Sequence, residues 1–179
     1  MIVGAAIGLV SSFLQTLEVI ELLKNQGAAL YCNINSVFSC STVLKAPQSS
    51  ALGFPNAIMC LSMFLTFLIA GFAGLFSKGL NKGFRLTIQG LSLFTLAFGV
   101  WYLWQSTYVI GALCIFCSLC MLGLLMVNAA WLRTNASDLP ISKAATKTLE
   151  GWIAKQYDIL AWAIFAVAGV SAITLRFIS

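Results

Sequence analysis

Six cysteines and no histidine set the chemistry open to this chain. Three of them, Cys114, Cys117 and Cys120, stand at intervals of three in the apolar run "GALCIFCSLCMLG", residues 111–123. Cys32 and Cys40 flank the polar stretch "NINSVFS". A free cysteine alone behaves as a small hydrophobe and is often simply buried. Spacing separates chemistry from packing. Cys114 and Cys117, at i and i+3 in a first helical turn, come within the Cα separation that a disulfide requires. A helix N-terminus there also favours the thiolate. A four-thiolate zinc site is a further reading, but the spacing of Cys32 and Cys40 is not finger-like and no histidine is available, so no metal is expected. A purely structural Cys32–Cys40 disulfide is another reading. Two pairs together point to thiol–disulfide exchange. Cys60 and Cys120, deeper in apolar segments, read as packing.

The elements that position these cysteines lie in a bilayer. The chain is 60% hydrophobic and 8% charged, against about 25% charged residues in soluble domains. Its net charge of +5 is spread over several loops, so no nucleic-acid partner is expected. Five segments reach the roughly 20 apolar residues that cross a hydrocarbon core: Ile2–Leu23, Phe54–Phe76, Leu86–Ser106, Ile110–Leu132 and Ile159–Ile178. With no water to satisfy the backbone, each must be a helix. The expectation is one all-α integral membrane domain over residues 1–179, with an outer loop at 24–53. The first segment lacks a basic n-region and reads as a retained helix rather than a signal peptide. The stretch "ISKAATKTLEGWIAKQ" has an amphipathic look, suited to the headgroups or to a solvated helix.

Basic residues give the orientation. Lys78, Lys82 and Arg85 fall in one loop, and Arg133, Lys143, Lys147 and Lys155 in another on the same side. The opposite side receives only Lys24, Lys45 and Arg176. Positive charge stays cytoplasmic. That places the N-terminus inside and the C-terminus outside, with Cys32, Cys40, Cys114 and Cys117 extracytoplasmic, where disulfides persist. Glu18 and Glu21, near the outer end of the first helix, read as snorkelling interfacial side chains, with proton release as the alternative.

Electrons need a sink. An oxidising carrier of the thioredoxin type sits near about −120 mV and ordinary dithiols near about −270 mV. Another dithiol cannot recharge such a carrier, and "CIFCS" is not the C-x-x-C-H of covalent haem. A lipid-soluble quinone fits.

The stretches "CNINSVFSCSTVLKAP", "LGFPNAI" and "CIFC", in that order, resemble the vitamin K epoxide reductase family, in particular its bacterial homologues, over about Ile2 to Leu132. The quinone-linked disulfide-bond formation protein B family carries its cysteine pairs in the reverse order. The resemblance implies a four-helix bundle around a menaquinone or ubiquinone, with a fifth helix outside, in the bacterial cytoplasmic membrane. It implies that Cys32 and Cys40 form a shuttle pair. Cys32 would exchange with a thioredoxin-like partner, Cys40 would pass electrons to Cys114, and Cys117 would lie beside the quinone. It also implies that Asn56 hydrogen-bonds a quinone carbonyl, with helix capping as its simpler role. Phe54 and Phe116 are candidate ring-packing residues. Ala46 stands where many relatives carry a serine and Met121 where animal members carry a tyrosine, which makes plain quinone reduction the expected activity rather than epoxide reduction. Many bacterial relatives carry a fused thioredoxin-like domain, whereas this chain stops at Ser179, so the expected partner is a separate extracytoplasmic protein. Two other classes compete: a non-enzymatic membrane scaffold with one structural disulfide, and a metal-handling protein using the outer cysteines.

Overall fold

The computed structural model describes residues 1–28, 30–35, 37–76 and 80–178. Lys78 of the basic loop and the terminal Ser179 lie outside the described residues. Five helices are long and apolar enough to cross a membrane: α1 (Ile2–Lys24), α3 (Asn56–Phe76), α4 (Lys82–Trp104), α5 (Ile115–Asn135) and α7 (Tyr157–Ile178). Between them lie α2 (Cys40–Lys45) in the outer loop and α6 (Lys143–Ala154) before the last span. The protein is an all-α integral membrane protein.

Helices α1, α3, α4 and α5 form a four-helix bundle, with α1 packed against both α3 and α5 and α4 against α5. Small residues permit the closest approach. A Cβ at Gly123 would sit 2.6 Å from Gly4 O, and one at Gly8 would sit 2.0 Å from the Phe64 ring. Backbones meet at such sites because lipid supplies no hydrophobic drive between helices, leaving packing to hold them. Interhelical hydrogen bonds support α4 against α5: Ser92 Oγ donates to Asn128 Oδ1 at 3.0 Å, and Asn135 Nδ2 to Gln89 Oε1 at 2.8 Å. Helix α7 lies outside the bundle, with Asp158 its one buried residue among those described. The Arg133–Asp158 ion pair and a Tyr108 hydroxyl bond to Ala172 O at 3.3 Å fasten it. Helix α6 has no buried residue, in keeping with its amphipathic sequence.

Gly8→Val should collide with Phe64, which is fully buried, and overpacking of this kind costs about 1–3 kcal/mol. The expected result is a lower midpoint of thermal unfolding in detergent, whereas valine at Gly90, whose Cβ meets nothing within 4 Å, should leave it unchanged.

Three span boundaries move by four residues or more from the sequence expectation, and the last matters for the site. The third span starts at Lys82 rather than Leu86, because the Asn81 side chain caps it by accepting from Gly83 N at 2.8 Å. It runs on through a π-helical turn at Gln105–Ile110. The fourth span begins at Ile115 rather than Ile110. Gly111 adopts φ 73°, a left-handed conformation that suits glycine and ends the preceding helix. Residues 112–114 then run extended, so Cys114 is the residue before the first helical turn rather than inside it.

Candidate functional site

The outer loop is joined to the start of α5 by backbone pairing. Leu113 N donates to Val37 O at 2.7 Å and Ser39 N to Leu113 O at 3.0 Å, making a parallel bridge between Phe38 and Leu113. Asparagines shape the loop for this. Asn35 Oδ1 accepts from the N–H groups of Val37 and Phe38 at 3.0 and 2.7 Å, and Asn33 Oδ1 accepts from Ser41 N at 3.0 Å. Ser39 then caps α2, accepting from Thr42 N. The residue after Ser39 is Cys40 and the residue after Leu113 is Cys114, so the bridge sets these two cysteines side by side.

Their sulfurs lie 3.2 Å apart. Cys32 and Cys40 form a disulfide with a Cα separation of 5.6 Å, while Cys114 and Cys117 are free. Three of the four cysteines are buried: Cys32 is 4% exposed, Cys40 0% and Cys114 1%. The Cys117 thiol and the N–H groups of Cys117 and Phe116 hydrogen-bond Cys114 sulfur and hold its pKa below the ordinary thiol value, against the opposing effect of burial. Gln15 Nε2, from α1, donates to Cys117 Sγ at 3.1 Å. Glu18, one turn further along α1, accepts from Tyr31 N at 3.0 Å and lies 3.0 Å from Cys32 Sγ. Glu18, 6% exposed, is therefore not the snorkelling side chain that the sequence suggests. Glu18, Cys32 and Cys40 bring ligand-type atoms within 4.8 Å of one another, but in this oxidised form neither sulfur is a thiolate available to a metal.

Two adjoining cavities share Gln15, Asn56, Ala57 and Tyr102 in their walls. The inner one, about 40 Å³, is also lined by Cys117, Cys60, Cys120, Met121 and Phe98. The outer one, about 460 Å³, lies beneath Leu44, Ser49 and Pro55, within the range of about 300–1,000 Å³ usual for small-molecule sites. Among the described residues, two buried polar atoms on the shared wall have no partner: Tyr102 OH and Asn56 Oδ1. Asn56 Nδ2 donates one of its two hydrogens to Gln48 O at 2.7 Å, and its Oδ1 is left as an acceptor for a ligand hydroxyl. A ring with a carbonyl for Tyr102 OH and a hydroxyl for Asn56 Oδ1 suits such a wall, because each unpaired group otherwise carries a desolvation cost.

Of the residues singled out from the sequence, Cys32, Cys40, Cys114 and Cys117 come together and Asn56 joins Cys117 at the inner cavity. The two phenylalanines do not. Phe54 is 43% exposed and lines neither cavity. Phe116 packs instead against the outer-loop cluster and lines a groove with Glu18 and Tyr31, because the late start of α5 turns it toward the loop. The aromatic rings at the cavity are those of Phe98 and Tyr102 from α4. Sequence reasoning also missed Gln15, whose only signal was a polar residue in mid-span, where polar side chains are costly.

No curated protein matches the chain. The model of the vitamin K epoxide reductase family matches residues 1–133, which hold both cysteine pairs and the four bundle helices save the last two residues of α5, and the chain belongs to that family of membrane redox proteins.

Proposed function

We propose that the protein is a membrane thiol oxidase that carries electrons from a reduced extracytoplasmic thioredoxin-like protein to a membrane quinone and so supports disulfide formation. The observation that carries this reading is the 3.2 Å approach of Cys40 to Cys114, which joins an outer disulfide to an inner dithiol. A partner thiolate attacks Cys32 and releases Cys40. The Cys40 thiolate attacks Cys114 in an inner Cys114–Cys117 disulfide and frees the Cys117 thiolate. The partner's second thiolate attacks its own sulfur in the mixed disulfide, so that the partner leaves as a disulfide and Cys32 is freed. Cys32 then attacks Cys40, restoring the outer disulfide and releasing Cys114. That final arrangement corresponds to the bonding found here. The lowered pKa of Cys114 makes it a good leaving group in the last exchange. Gln15 stabilises Cys117 as a thiolate. A bound quinone would supply a two-electron, two-proton acceptor: Tyr102 OH would donate to a carbonyl oxygen, Asn56 Oδ1 would accept from a hydroxyl once the ring is reduced, and Met121 and Phe98 would line the same cavity.

The orientation follows from the distribution of basic residues, with both cysteine pairs on the outer face of the bacterial cytoplasmic membrane. The whole chain acts as one membrane domain. Vesicles test function and sidedness together. A reduced thioredoxin-like protein added to right-side-out vesicles should become oxidised while an equal amount of quinone is reduced, and inverted vesicles should do neither. Oxidation without quinone reduction, or in inverted vesicles alone, would overturn the proposal.

A further inference from the structure

Glu18 closes onto the outer disulfide from the buried face of α1. The Tyr31 N–H fixes one carboxyl oxygen, and the other rests 3.0 Å from Cys32 Sγ. A disulfide sulfur has no hydrogen to donate, so this contact becomes a thiol hydrogen bond only when Cys32 is reduced. The spacing is that required of a general base and the proton it removes. Among the described residues no basic side chain forms an ion pair with the carboxyl group. The groups around it are Cys32 and Cys40 of the loop, the Tyr31 N–H, Cys114 ahead of α5, and Glu21 one turn further along α1. A groove of about 780 Å³, walled by Glu18, Glu21, Asn25, Tyr31 and Phe116, lies on its other side.

We propose that Glu18 is the catalytic base of the shuttle pair, removing the Cys32 thiol proton as Cys32 resolves a Cys40–Cys114 bridge. This rests on the relay described above. In the step, the Cys32–Cys40 bond forms and the Cys40–Cys114 bond breaks with its electron pair on Cys114. Cys32 is oxidised, Cys114 is reduced, and the proton passes from sulfur to Oε2 of Glu18. When a partner later reduces the loop, the Cys32 thiolate takes that proton back. Two anions held 3.0 Å apart in a buried site repel strongly, so the reduced Cys32–Glu18 pair keeps one proton between them.

The test uses the full chain in detergent. Reduced protein is mixed with a soluble quinone, quenched in acid, alkylated and mapped by mass spectrometry. Glu18→Gln keeps an oxygen for the Tyr31 N–H but loses the base. The Cys40–Cys114 bridge should accumulate in it and decay more slowly by about 100-fold, and the decay should accelerate about tenfold per pH unit as hydroxide replaces the carboxylate. Should Glu18→Gln fail to fold, the wild-type protein still decides. Infrared difference spectra should show a protonated carboxyl band appearing as the Cys32–Cys40 bond forms. Wild-type decay and pH dependence in Glu18→Gln, or no such band in the wild type, would overturn the proposal. Cys32→Ala separates the two failures. It cannot resolve the bridge and should trap it, and a Cys32→Ala protein without any bridge would overturn the relay and the role of Glu18 with it.

Discussion

Alanine at Cys32 or Cys40 will abolish oxidation of a protein dithiol, by roughly 10³-fold or more, yet spare quinone reduction driven by a small permeant dithiol. Exchange between Cys40 and Cys114 is intramolecular at 3.2 Å, and effective molarities for well-placed groups reach about 10⁵ M or above. Removing either loop sulfur takes that advantage away from a bulky partner, which cannot itself reach Cys114 at 1% exposure. A small dithiol needs no shuttle. Alanine at Cys114 or Cys117 should stop both reactions, because the inner pair is common to them. Steady-state assays with the two reductants side by side check this. Normal protein oxidation by Cys40→Ala would break the proposed order of transfer.

The second large effect belongs to Gln15. Leucine there should slow quinone reduction by about 10- to 100-fold, because a hydrogen bond to a charged group contributes about 1.5–3 kcal/mol. The donor is specific to Cys117 Sγ, at 3.1 Å, and touches neither Cys32 nor Cys40. The Cys117 thiolate is also the leaving group when Cys40 attacks Cys114, so loading of the inner pair should slow as well. Single-turnover oxidation of the fully reduced protein by quinone isolates the second step, and alkylation after quenching should show Cys114 and Cys117 staying reduced longer in Gln15→Leu than in the wild type. Equal turnover in the two proteins would leave Gln15 a packing residue.

Much of this arrangement is legible in the sequence, and the parts that are not share a cause. Length and hydropathy reveal spans because a bilayer admits little besides apolar helices. Cysteine order and the G-F-P-N stretch carry the family. Hydropathy does not report which way a span faces, since nearly every side chain on it is apolar. Nothing in the sequence therefore shows that Gln15 and Glu18, the latter read as an interfacial side chain, lie on the face of α1 that meets the cysteines. Tyr102 was hidden in the same way among the aromatic residues of α4. The start of α5 was misplaced because Ile110 to Leu113 is apolar on either side of one glycine, and only the positive φ of Gly111 reveals the break. That break frees residues 112–114 to pair with the loop, and it turns Phe116 away from the cavity.

The burial of the outer disulfide has a physiological consequence. Cys32 and Cys40 are almost completely covered, while Tyr31 and Ile34 beside them are 98% and 66% exposed. Ambient low-molecular-weight thiols meet no open sulfur of this pair, whereas the two protruding side chains offer a contact to a folded protein. In the proposed thiol oxidase, this cover withholds the shuttle pair from the polar thiols of the surrounding redox buffer. The pair's oxidising power is then spent on those proteins able to open the cover.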